Sequence, residues 1–270
     1  MEGEPIAQVD EARLLLDART ELYGETDPAT LEAMLQLAIA LRDAESYQEA
    51  ESVLRNLLAR QTRSDEMDEA RIIRTEFNLA IVLDRLGEGP AARRLWEKVL
   101  ESSDRTNGPQ SELSVRAAIN LAITLRQLHH YGDEFPLRVR IFESKRRSLG
   151  SEHTDTCRSI VDLAQTHRNL GNHEMALSLF TEAVDGLERN GVEPRTILYQ
   201  KWAIASELLA LKRPKEASLM FDQVVGGAKD QLDPNDPFRK SAVRQQRAYR
   251  LLGRFSGLRG RNRQHDRPST

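Results

Sequence analysis

The dipeptides Leu37-Ala38, Leu79-Ala80, Leu121-Ala122 and Leu163-Ala164 stand 42 residues apart, and a fifth, Ile204-Ala205, follows after 41. A fixed period of this length means one supersecondary unit used repeatedly, each copy burying its apolar face on its neighbours. Behind each dipeptide runs a second apolar set: Ala50, Val53, Leu54, Leu57, Leu58; Ala92, Leu95, Trp96, Val99, Leu100; Leu137, Ile141, Phe142; Ala176, Leu179, Phe180, Ala183, Val184; and Ala217, Met220, Phe221, Val224, Val225. The i, i+3, i+4, i+7, i+8 spacing is one face of an α-helix. The dipeptides lie on helices as well, as Leu31, Met34, Leu35, Ala38 and Leu41 show. Short turns separate the two sets at Glu45-Ser46, Gly87 to Pro90, Gly171-Asn172 and Lys212 to Pro214. Pro90 and Pro214 fall at a helix start, where a missing N–H costs nothing. Each unit is therefore an antiparallel helical hairpin. Ala38, Ala80, Ala122 and Ala164 on first helices, with Ala50, Ala92 and Ala176 on second helices, let the helices approach closely. The third unit diverges, with Glu134 in place of the second-helix alanine.

Leu37-Ala38, Leu41, Ala50 and Leu54 occupy the Leu, Gly-or-Ala, Tyr, Ala, Phe spacing of a tetratricopeptide repeat, whose usual period is about 34 residues. The longer period, opened by a Leu-Gly-x-x-His/Asp-Pro-x-Thr-Leu phrase, resembles the repeats of kinesin light chains and their bacterial relatives. Tyr23 to Leu31 matches that phrase, Leu149 to Thr156 repeats it three periods later, and Leu232 to Pro237 opens a last copy. The resemblance spans residues 6 to 253 and implies an all-α fold, a right-handed α-solenoid of stacked antiparallel hairpins.

On this reading residues 1–22 form an N-terminal capping helix with Val9, Ala12, Leu15 and Leu16 as its buried stripe. Five repeats follow at 23–64, 65–106, 107–148, 149–190 and 191–231, then a C-terminal capping helix at 232–253, where Gln245-Gln246 or Gln246-Arg247 replaces the Leu-Ala pair. Polar ends of this kind show water the side that has no neighbour. Residues 254–270, with Arg254, Arg259, Arg261, Arg263 and Arg267 and few apolar residues, read as a disordered basic tail.

Composition bounds the chemistry. The single cysteine, Cys157, rules out an intramolecular disulfide and a cysteine-based zinc site and points to a reducing compartment. No apolar run is long enough to span a bilayer. The N-terminal stretch is acidic where a secretory signal is basic, so the expected location is cytoplasmic. The glycines form neither GxGxxG nor GxxxxGK, no GxSxG occurs, and the histidines lack metal-ligand spacing. Trp96 and Trp202 fall on the helical stripe and read as core. The expectation is therefore no enzyme, no cofactor and no metal.

What remains is the surface lined by the first helices, the concave side of such a stack. Its ranks read Glu32, Arg74, Arg116, Arg158; Gln36, Asn78, Asn120, Asp162; Ile39, Ile81, Ile123, Gln165; Arg42, Asp84, Arg126, Arg168; and Asp43, Arg85, Gln127, Asn169. These hold seven arginines against four carboxylates, in a chain whose net charge is −3. Arg74 with Asn78 and Arg116 with Asn120 are i, i+4 neighbours, as are Arg158 and Asp162, which are spaced to pair with each other. Guanidinium forks bind carboxylates, and an Asn amide can both donate to and accept from an extended backbone. The kinesin-light-chain-like resemblance implies that an Asn before the Leu-Ala pair lines a peptide groove. Asn78 and Asn120 match it; Gln36 and Asp162 do not.

The candidate groove residues are thus Arg74, Asn78, Arg116, Asn120, Arg158, Ile81, Ile123, Arg126 and Arg168. They point to a protein-interaction scaffold or adaptor that takes a protein or peptide partner, specifically an extended acidic segment. A second reading is a sensory or regulatory repeat protein whose curvature answers a signal peptide or partner. A third, nucleic-acid binding, has against it the overall charge and the lack of interleaved aromatics.

Overall fold

The structure, a computed structural model, describes residues 4–63 and 68–247. They form α1 (Glu4–Tyr23), α2 (Pro28–Asp43), α3 (Tyr47–Gln61), α4 (Glu69–Arg85), α5 (Gly89–Asn107), α6 (Glu112–Gln127), α7 (Tyr131–Leu149), α8 (Thr154–Asn169), α9 (His173–Arg189), α10 (Pro194–Ala210) and α11 (Pro214–Gln231). Residues 237–247 are a further helical run, α12, and no strand occurs among the described residues. The tail expected over 254–270 lies outside the described residues, as does the end of the C-terminal cap.

Local chemistry sets the helix limits. First helices other than α10 open on side-chain caps: Asp27 accepts from the Ala29 N–H (2.7 Å), Asp68 from Arg71 (3.2 Å), Ser111 from Ser114 (3.3 Å), and the His153 Nδ1 from Asp155 (3.1 Å). They close on a residue in the left-handed region, which recurs at one place in the repeat: Glu45, Gly87, His129, Gly171 and Lys212. The next N–H then reaches back to the helix, as Ser46 does to the Leu41 carbonyl (2.8 Å) and Asn172 to that of His167 (2.9 Å). This double-bonded ending satisfies orphan carbonyls and turns the chain sharply into the second helix.

The chain divides into two compact units, residues 1–137 and 138–270, and the division falls inside α7 just after Pro136. In the first unit each helix packs on the next from α1 to α6, and the first helices also touch, α2 on α4 and α4 on α6. The alanines predicted to face one another, Ala38, Ala80 and Ala122 with Ala50 and Ala92, are 0–1% exposed. Trp96 is fully buried, with the Phe77 ring edge-on at 4.9 Å between centroids. On α1 the buried stripe is Val9, with Ala12 and Leu16 half-buried; Leu15, expected inside, is 40% exposed. Among the described residues α1 packs chiefly on α2, and its Val9 and Leu16 side is the one that is buried.

In the second unit α8 packs on α9, α9 on α10 and α10 on α11. One core gathers Ile160, Ala164, Phe180, Ala183, Leu187 and Phe221, and a second, around Leu198, Val224, Val225, Ala228 and Ala242, seats α12. Trp202 is partly buried between them, against Phe221.

Cys157 is buried, and burial pushes its thiol pKa up. Gly186 on α9 passes directly over it: a methyl group added there overlaps the Cys157 Sγ and leaves the Cys157 Cβ at 3.6 Å. Gly186→Ala should therefore destabilise by about 1–3 kcal/mol through overpacking, although Ala in a helix interior is normally about 1 kcal/mol better than Gly. The double variant Gly186→Ala/Cys157→Ala should recover most of the loss in urea titrations. No recovery would place the strain elsewhere.

Candidate functional site

The first-helix ranks become two surfaces, one in each unit. In the first unit they are built by α2, α4 and α6. Arg74 of α4 donates to both Glu32 oxygens of α2 (3.3 and 3.4 Å), and both side chains are near half-exposed. Arg116 of α6 lies over the Phe77 ring of α4, 5.1 Å from its centroid, and pairs loosely with Glu112 (3.6 Å). Arg74 and Arg116 thus share one exposed face. Ile81 is half-buried on it and Ile123 is 42% exposed.

The asparagines differ. Asn78 is occupied at both ends, donating to the Arg74 carbonyl (2.8 Å) and accepting from Arg42 Nη1 (2.6 Å). Asn120 donates to the Arg116 carbonyl (3.0 Å), and among the described residues no donor reaches its oxygen.

The fourth rank serves the helix contacts. Arg42 bridges α2 to Asn78 of α4. Asp84 accepts from the Trp96 indole N–H (2.7 Å) and from the Thr124 hydroxyl of α6 (3.0 Å). Burial pushes the Asp84 carboxyl above the usual range, and these two hydrogen bonds together with Arg85 pull it back. Arg126 donates to the fully buried Glu134 (2.8 Å). The charge in the alanine column of the third unit is thereby met by an arginine from the same hairpin.

In the second unit Arg168 does the same for Glu207 of α10, which is 2% exposed, while stacking over the Phe180 ring at 4.7 Å. His173 Nδ1 meets the other Glu207 oxygen at 2.8 Å. Arg158 pairs with Asp155 (3.1 Å), not with Asp162, whose carboxylate accepts from Arg138 (3.0 Å). The expected Arg158–Asp162 pair is corrected: residue 155, one turn earlier, lies on the side to which Arg158 extends, while the 3% exposed Arg138 reaches Asp162 from α7.

Sequence reasoning passed over two more buried acids. Glu76, 1% exposed, is met by Lys98, and Glu207 by Arg168 and His173. Their signal was available. Glu76 stands in a column with Met34, Ala118 and Ile160, and Glu207 in one with Ala40, Val82, Thr124 and Thr166. A charge interrupting an apolar or small column marks a buried ion pair, because a buried carboxylate persists only with a partner. Among the described residues no group of three His, Cys, Asp or Glu side chains is placed to hold a metal ion. No helix there is long and apolar enough to cross a membrane.

Paired helices with a repeated small-residue contact and stacked first helices are the geometry expected of the family resemblance. The tetratricopeptide repeat profile matches residues 30–64, 78–112 and 156–189. These three segments are tetratricopeptide repeats. No curated protein sequence matches the chain. Solved structures with similar tetratricopeptide architecture include BtubC (BKLC) from P. vanneervenii, at TM-score 0.66 and 18% identity, covering 86% of this chain and 94% of that one. A putative kinesin light chain from Podosopora anserina with nearly identical TPR-like repeats superposes at 0.64, with 20% identity over 77% of this chain and 99% of that one. YrrB, a TPR protein with an unusual peptide-binding site, gives 0.60 and 14% identity over 86% and 97%. At these identities the likeness establishes the shared repeat fold.

Proposed function

We propose that this repeat protein is a non-catalytic, cytoplasmic scaffold for protein–protein interaction, and that the α2, α4 and α6 face of its first unit captures an extended acidic segment with an apolar anchor. The observation that carries this reading is the single exposed surface bearing Arg74, Arg116, Asn120 and Ile123. Arg158 extends the same chemistry in the second unit, although Asp155 competes for it. Arg126 and Arg168 have a structural role, steering buried glutamates, and Asn78 orders Arg42. The ion pairs at Arg74 and Arg116 are exposed ones, worth about 0–1 kcal/mol each, so an incoming carboxylate can replace Glu32 or Glu112. YrrB is described as having a peptide-binding site, which supports a peptide as the class of ligand.

A short fluorescein-labelled Glu/Asp-rich peptide with one central Leu should bind the full chain with roughly micromolar affinity, since the peptide must be ordered on binding. Binding should weaken as salt is added. Arg74→Glu combined with Arg116→Glu should abolish it without loss of helical circular dichroism, and Arg55→Glu with Arg94→Glu, on second helices, should not. Glu32→Gln should tighten binding by removing the internal competitor. Equal anisotropy titrations for wild type and the Arg74/Arg116 variant, both folded, would refute this face as the site.

A further inference from the structure

Helix α1 stands in the place of a second helix: it packs on α2 as α3 packs on α4 and α5 on α6. Its other side has no described helix against it. That side carries Leu14, Leu15 and Leu22, which are 71%, 40% and 72% exposed. Leucines this open on a folded helix, in one contiguous stripe, mark an interaction surface. Asp10, Glu11, Asp17 and Glu21 rim the stripe, all exposed and without ion-pair partners among the described residues. Both arginines of α1 are spent elsewhere, Arg13 on Glu49 and Arg19 on the Ala29 carbonyl. The surface is apolar along its middle and acidic at the edge beside Leu14 and at its N-terminal end.

Helix α12 stands in the place of a first helix, capped by Asp236 as α2 is by Asp27, and seated through Ala242 and Phe238. Counted from those caps, Lys240, Arg244 and Arg247 fall where α2 has Leu31, Leu35 and Ala38, three buried positions. With Lys229 of α11, Pro234 and Val243 they line a cleft of about 670 Å³ that contains no acidic side chain. Arg239 is held by the carbonyls of Lys229 and Leu232, and Lys240 by Asn235. The side-chain charges of Lys229, Arg244 and Arg247 have no acidic partner among the described residues.

We propose that the basic side of α12 in one copy docks on the acid-flanked leucine stripe of α1 in a second copy, so that the open sides of a first helix and a second helix meet between molecules. Arginine and lysine stems cover Leu14, Leu15 and Leu22 while their charged heads reach the rim carboxylates. Pairing α1 with another α1 would set carboxylates against carboxylates, and pairing α12 with α12 would oppose cations. Head-to-tail contact is the arrangement that the charges favour. Because such a contact uses different surfaces on the two copies, it repeats without closing unless the rotation happens to form a ring. The ion pairs are peripheral, so association should fall as salt rises.

Sedimentation velocity on the full chain tests this, at low and at high salt, with concentration varied. Wild type should form a concentration-dependent series of multimers at low salt. Leu14→Glu/Leu22→Glu, which blocks α1, and Arg244→Glu/Arg247→Glu, which blocks α12, should each weaken association at least tenfold. Each variant keeps one intact end, so their equimolar mixture should yield dimers and nothing larger. Arg74→Glu/Arg116→Glu should assemble like wild type, which separates this contact from the peptide face. All substituted positions are exposed, and circular dichroism confirms folding. A wild type monomeric at every concentration overturns the proposal. So does assembly abolished by the leucine pair but untouched by the arginine pair, which would mean an α1–α1 contact, and so does a mixture that stays monomeric.

Discussion

Trp96→Ala is expected to cost about 3–5 kcal/mol, the range for deleting a fully buried large aromatic, and to lower the urea midpoint more than any surface substitution. The indole is 0% exposed, so its whole volume becomes a cavity between α4 and α5. It also removes the edge-on contact with Phe77 and the donor that Asp84 accepts from at 2.7 Å. Trp96→Phe separates these losses. It keeps most of the packing but leaves the half-buried Asp84 with Thr124 as its remaining side-chain donor, so a smaller loss, about 1–3 kcal/mol, is expected from the missing hydrogen bond. A phenylalanine variant as unstable as the alanine one would show that the hydrogen bond, not the volume, dominates at this position.

Ala164→Arg should be at least as damaging. Ala164 is 0% exposed where α8 meets α9, with Ala176 equally buried on the partner helix. An arginine there must either separate the two helices or bury its charge without a partner, and the expected cost is about 4 kcal/mol or more. Asn169→Arg, at the exposed end of the same helix, supplies the control and should stay within about 0.5 kcal/mol of wild type. Thermal melts that coincide for the two variants would mean that the 42-residue register has been assigned to the wrong helix face.

The positions these two predictions use were legible in the sequence. Ala38, Ala80, Ala122 and Ala164 could be assigned to helix contacts because their period and their i, i+4 neighbours are properties of a line of residues, and a helix converts spacing along that line directly into a face. The closing turns were legible too, in Gly87 and Gly171, even though Glu45, His129 and Lys212 take the same left-handed backbone without being glycine. The face of α1 was only half legible. Its leucines lie on two sides, and periodicity cannot say which side has a neighbour; Leu15 was accordingly placed inside when it lies out.

The polar ranks show most clearly what the sequence determined and what only the tertiary structure decided. Sequence alone set which arginines occupy equivalent places on successive first helices, since that follows from the repeat. It could not assign their partners. Arg74 and Arg116 stay on an open face, whereas Arg126 and Arg168, three ranks further along, turn to buried Glu134 and Glu207, and Arg158 selects Asp155 over Asp162. An arginine has a long flexible stem, so its partner depends on the lateral offset between helices. That offset is set by how side chains of different hairpins interlock, and the period of one strand of sequence does not contain it.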